Sequence, residues 1–84
     1  MIYEIIIDRY AQKQLDKIPP PHFNRIIKAI NNLTDNPRPS GCKKLTARPG
    51  YRVRIGNYRV IYLIEDNVLK VFVIDIGHRK DIYE

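Results

Sequence analysis

The sequence predicts an α+β fold in which two N-terminal helices pack on a small antiparallel β-sheet, in the order β-α-α-β-β-β. Three observations carry this expectation. Apolar residues repeat at helical spacing from Phe23 to Leu33 in the N-terminal half. β-branched runs in the C-terminal half are split by Gly56-Asn57 and Asp66-Asn67. The chain has 84 residues, 44% hydrophobic and 29% charged, an ordinary globular composition with room for one domain over 1–84.

The first element is the run Ile2 to Ile7, short and rich in β-branched residues, and read as a strand. Asp8 follows as an N-cap, its carboxylate placed to accept from the first free N–H groups of a helix running to about Ile18. Ala11, Leu15 and Ile18 line the buried face of that helix. Pro19 and Pro20 cannot sit inside a helix, whereas Pro21 can begin the next one. In the second helix Phe23, Ile26, Ile27, Ile30 and Leu33 form one stripe, with Asn24, Arg25, Lys28 and Asn31 facing water. From Asp35 to Gly41 the chain is rich in turn residues and reads as a loop. From Lys44 onward it reads as a β-meander of strands Tyr51 to Ile55, Tyr58 to Glu65 and Val68 to Ile76.

The formal net charge is +6, and its distribution says more than the total. No acidic residue lies between Asp35 and Glu65, an interval that holds Arg38, Lys43, Lys44, Arg48, Arg52, Arg54 and Arg59. One basic face and one mixed face are expected, as on a surface that binds phosphates. The alternative is an ordinary solvated face. Cys42 is the only cysteine, which excludes an internal disulfide and a Cys-based zinc site and fits the reducing cytoplasm. No apolar run approaches the roughly 18 residues of a spanning helix, and the N-terminus does not read as a signal peptide, so no membrane partner is expected. Acids are sparse and lie away from the basic block, so neither a metal nor another cofactor is expected.

The turns predict the register. A two-residue Gly56-Asn57 loop sets Ile55 opposite Tyr58 and therefore Arg54 opposite Arg59, with Arg52 two positions along on the same face. Like charges directly across a ladder are destabilising, so a bound anion is the reason this reading gives for three guanidiniums on one patch. The other reading has each arginine lying over the sheet toward solvent or pairing with Glu65, Asp66 or Asp75. The same register leaves Ile61, Leu63, Phe72 and Ile74 on the arginine face and Val60, Tyr62, Val71 and Val73 on the other. Two short helices cover one side, so the second apolar surface calls either for a bound partner segment or for the first strand, loops and tail.

Lys43-Lys44-Leu45, the run Gly50-Tyr51-Arg52-Val53-Arg54-Ile55-Gly56-Asn57-Tyr58-Arg59-Val60-Ile61-Tyr62, and Gly77-His78-Arg79-Lys80-Asp81-Ile82-Tyr83 together resemble the signature of the RelE/ParE toxin superfamily. The closing motif is similar to the RelE-like mRNA interferase branch. The resemblance implies the toxin of a type II toxin–antitoxin system, an endoribonuclease that cuts messenger RNA in the ribosomal A site through attack of the RNA's 2′-hydroxyl on the adjacent phosphate. It further implies that Arg59 stabilises the phosphate, that Arg79 assists the leaving group, and that Tyr83 stacks on or orients the nucleotide. Arg52 and Arg54 stand where well-known members often carry lysine. A guanidinium stays protonated to about pH 12 or beyond and is a poor general base, so these two act by charge, with His78 a candidate proton carrier. Lys43, Lys44 and Arg48 are candidate RNA-binding residues beside them. The implied partners are a cognate RelB-like antitoxin, the ribosome and its message, with operator DNA reached only through the antitoxin. The alternative is a ParE-like toxin that inhibits DNA gyrase without catalysis.

Overall fold

The computed structural model describes residues 2–78. The elements run β1 (Glu4–Ile7), α1 (Arg9–Asp16), α2 (His22–Asn32), β2 (Lys43–Lys44), β3 (Tyr51–Ile55), β4 (Tyr58–Glu65) and β5 (Lys70–His78). This is the predicted α+β order with one addition, the two-residue β2. All five strands form one sheet in the order β1-β5-β4-β3-β2. Strands β2 to β5 pair antiparallel, whereas β1 lies parallel to β5, with Ile6 opposite Phe72. The sheet is therefore mixed, because the chain leaves β1 through the helices and returns to its side by a crossover.

Each helix starts as its residues dictate. The Asp8 carboxylate caps α1, accepting from Ala11 N–H at 2.8 Å. Pro21 precedes α2, where a missing N–H costs nothing. Ala11, Leu15, Ile26, Ile30 and Leu33 then meet Val60, Tyr62, Val71, Val73 and Ile76 of the sheet in one fully buried cluster. Burying each of the larger side chains contributes about 1.5–3 kcal/mol relative to leaving it exposed. Inside this core the Tyr62 hydroxyl donates to the Pro37 carbonyl at 2.8 Å, which ties the α2–β2 loop to the sheet. Burial pushes the Tyr62 phenol well above its ordinary range. The predicted stripe of α2 and the predicted helix face of the sheet are both observed.

Two features of β5 differ from expectation. The β4–β5 turn spans four residues, 66–69, with Glu65 opposite Lys70, so the strand begins two residues later than predicted. A register shift then falls between Ile61 and Tyr62, where Tyr62 opposes Val73 and Ile61 opposes Asp75, leaving Ile74 as the extra residue of a bulge. Past that point the faces of β5 are exchanged relative to strict alternation. On the arginine face Leu45 and Ile61 are buried with Ile74 against them, so the loop entering β3 covers part of the second apolar surface. Gly50 permits this approach. Its φ is +122°, and a Cβ there would lie 3.0 Å from the Tyr62 carbonyl oxygen.

Candidate functional site

The β3–β4 hairpin builds the site. Gly56, at φ +60°, opens the two-residue turn, and the ladder follows with Ile55 opposite Tyr58, Arg54 opposite Arg59 and Arg52 opposite Ile61. A two-residue loop makes Ile55–Tyr58 the closing hydrogen-bonded pair. Arg54–Arg59 is then a non-hydrogen-bonded pair, the kind whose Cα atoms approach to about 4.5 Å and whose side chains lie closest. Lys43 of β2 stands opposite Arg52 and brings a fourth cation to the same face.

The environments of these cations are graded. Arg52 is buried at 7% exposure, Arg59 is half-buried and Arg54 is exposed. The Arg59 Nε–H is shielded from solvent and has no hydrogen-bond partner among the described residues. Among the described residues no carboxylate lies within ion-pair distance of Arg54 or Arg59. A guanidinium with its Nε–H shielded from water, beside a second one, makes a strongly positive spot, and its natural complement is a phosphate. No group of three or more His, Cys, Asp or Glu side chains converges among the described residues.

Other predicted residues fall elsewhere. Arg48 lies 3.9 Å from the Asp75 carboxylate, close to the arginine face but shared with an acid. Lys44 stands opposite Tyr51, which belongs to the helix side, so its side chain leaves the sheet away from the arginines. His78 is also separated from them. It stands opposite Tyr58, while its neighbour Gly77 stands opposite Arg59. The bulge is the reason, because strict alternation from Phe72 and Ile74 carries His78 to the arginine face and one extra residue sends it to the other. There its ring packs against Tyr58 at 5.7 Å, and Tyr58 in turn meets His22 of α2 at 5.3 Å. Arg79 and Tyr83 lie outside the described residues.

Arg38, counted in the basic block, is no part of the patch. Its guanidinium donates to both Asp66 carboxylate oxygens, at 2.9 and 3.3 Å, and to the Tyr51 hydroxyl at 3.2 Å, and it lies over the Tyr51 ring. Tyr3 donates to the same carboxylate at 2.7 Å. The residue that sequence reasoning passed over is Gln14. Its amide donates to Asp75 Oδ1 at 2.9 Å and its carbonyl accepts from Ile76 N–H at 2.8 Å, which clamps α1 to the bulge. A glutamine on an amphipathic helix carries no signal of such a role until the bulge is known.

The comparisons agree with this fold. A family model described as the ParE toxin of type II toxin–antitoxin systems matches residues 5–83. Toxin RelG of Mycobacterium tuberculosis is 29% identical over 85 residues, spanning 99% of this chain and 98% of that protein. The RelE–RelB complex of the archaeon Pyrococcus horikoshii superposes with a TM-score of 0.85 at 26% identity, covering 98% of this chain and 100% of the matched one. The intact E. coli RelBE complex gives 0.79 at 26% identity, over 90% and 95% of the two chains. The chain therefore belongs to the ParE toxin family, within the RelE/ParE superfamily, and is a toxin of a type II toxin–antitoxin system.

Proposed function

We infer that this toxin is a metal-independent endoribonuclease that cleaves messenger RNA in the ribosomal A site and so stops translation. The observation that supports it is the Arg54–Arg59 pair, two adjacent cations with no carboxylate at ion-pair distance among the described residues, flanked by Arg52 and Lys43. In the reaction the 2′-oxygen attacks the adjacent phosphorus, the P–O5′ bond breaks, and a 2′,3′-cyclic phosphate and a 5′-hydroxyl result. The 2′-hydroxyl gives up a proton and the departing 5′-oxygen gains one. Arg54 and Arg59 neutralise the charge that builds on the phosphorane, and cations beside the 2′-hydroxyl ease its ionisation. Arg52 is buried beneath this surface and contributes field more than contact. Arg79 assists the leaving oxygen and Tyr83 orients the nucleotide, roles that rest on their match to the family motif. No proton step is routed through His78, which faces the other side of the sheet.

With guanidiniums in place of a general base, catalysis depends on how the substrate is held, and the ribosome supplies that positioning. Free RNA is accordingly cut slowly and translated message quickly. Mapping message 5′ ends after induced expression tests this, with codon-phased cuts in translated regions expected and lost in Arg59→Ala. Efficient, magnesium-requiring cleavage of naked RNA would overturn it. A RelB-like antitoxin is the proposed partner, on the strength of the RelE–RelB complexes among the structural neighbours. The ParE description of the matching family model favours a second reading, inhibition of DNA gyrase through the same face. Arrest of replication with translation intact, unaffected by Arg79→Ala, would decide for that reading.

A further inference from the structure

On the side of the sheet opposite the arginines, a cleft of about 350 Å³ opens between α1 and the end of β5. Tyr10, Gln14, Lys17, Tyr58, Asp75 and His78 line it. We propose that this cleft is a second RNA subsite, which takes one unstacked base of the same strand whose phosphate lies at Arg54 and Arg59. The inference rests on the RNA-cleaving reading above and adds a binding site to it.

Three observations carry it. The first is continuity. Arg59 and Tyr58 are consecutive on β4 and opposite Gly77 and His78 on β5, so the cation site and the ring wall of the cleft are adjacent residues turned to the two faces of one ladder. The pairing of β1 with β5 ends at Val73, so among the described residues the strand from Asp75 to His78 is a sheet edge. Gly77 brings no side chain to that rim. A single strand whose phosphate sits at Arg59 reaches the cleft by crossing the edge.

The second observation is the wall itself. Tyr58 is held between His22 and His78, at 5.3 and 5.7 Å, which fixes its ring, while Tyr10 leaves 61% of its surface in water at the cleft. Fixed rings beside an exposed aromatic suit a flat ligand, because stacking on a preordered ring loses little entropy. The third is polarity. Asp75 stands at the rim, its Oδ1 taken by the Gln14 amide and its Oδ2 3.9 Å from Arg48, with carboxylate lone pairs left for a base amino group. Lys17 can meet the phosphate that follows, whereas the Gln14 amide is committed to Asp75 and Ile76 and holds the floor in place. A peptide's aliphatic side chain would satisfy neither charge.

The test uses fluorescence anisotropy with an uncleavable 2′-fluoro hexacytidylate, whose bases carry the amino group, and with an abasic hexamer that keeps the same phosphates. Wild type should bind the base-bearing strand about tenfold more tightly than the abasic one. Tyr10→Ala, at an exposed position that leaves the core intact, should remove most of that ratio without changing affinity for the abasic strand. Arg54→Ala should weaken both strands alike. In NMR spectra the Tyr58 and His78 ring signals should move with the base-bearing strand and stay with the abasic one. If Arg54→Ala weakens both strands while Tyr10→Ala leaves the ratio unchanged and the ring signals stay, the subsite is wrong and the cationic RNA site stands. If Arg54→Ala changes neither, the RNA reading itself fails.

Discussion

Asp66 shows how a single residue can be drawn out of an apparently uniform charge block. Lys43, Arg52, Arg54 and Arg59 share the face of the candidate site, but Arg38 is held elsewhere by one carboxylate and one phenol. The Arg38 guanidinium first, and the Tyr3 hydroxyl second, hold the Asp66 carboxyl below its ordinary value. A carboxyl lowered by folding adds stability above its unfolded pKa, near 3.9, and that stability is lost as pH falls through the lower folded value. The pair is open to solvent, at 44% and 55% side-chain exposure, which keeps the effect modest. The urea midpoint of wild type should therefore fall more steeply than that of Asp66→Asn as pH drops below about 4. Parallel curves would remove this linkage. At the alkaline end the sign is reversed for Tyr62. Its phenol is raised by burial, so the stability it carries is present below about pH 10 and lost as pH rises toward the folded value.

At the scale of elements, the β5 bulge decides which chemistry faces which way, and Gln14 holds it. Gln14→Ala strands the Ile76 N–H and one Asp75 oxygen, at a cost of about 1–3 kcal/mol with an unchanged denaturant slope. Removing the Asp8 cap should cost about 1 kcal/mol by the same measurement, and the two losses should add, because the cap and the clamp share no partner. These two residues also mark what the sequence disclosed. Asp8, the α2 stripe and the Arg54–Arg59 pairing were legible because each depends on neighbours a few positions away, through a cap, a helical period or a two-residue turn. The face of His78 was not. It depends on one extra residue in a nine-residue strand, and the bulge leaves no periodic signature, because Val71 to Ile74 and Ile76 are all apolar and fit either face, and the single acid Asp75 does not say where the alternation breaks. The parallel place of β1 was hidden for a similar reason, since four residues of strand carry no mark of the partner they will meet 66 positions later. Arg38 escaped because charge runs show sign but not direction.

At the scale of the whole molecule, charge separates along the strands. Glu4 and Glu65 meet Lys70 at one end of the sheet, while Arg54 and Arg59 occupy the other, on a chain of formal net charge +6. The separation carries a stability cost at the site, because two cations placed directly across a ladder repel. Arg54→Ala should therefore leave the fold as stable as wild type or more stable by a few tenths of a kcal/mol, while toxicity falls sharply. A residue that loses function without losing stability is serving a ligand, whereas a loss of both would return Arg54 to an architectural role. Salt gives the independent check. Each phosphate neutralised on a single strand contributes about −0.7 to the slope of log K against log salt, so Arg59→Ala should make that slope shallower by about 0.7 for the uncleavable hexamer. Lys70→Ala, at the acidic end of the sheet, should leave the slope where it was. Equal effects from the two substitutions would mean that net charge, and not the paired guanidiniums, governs binding.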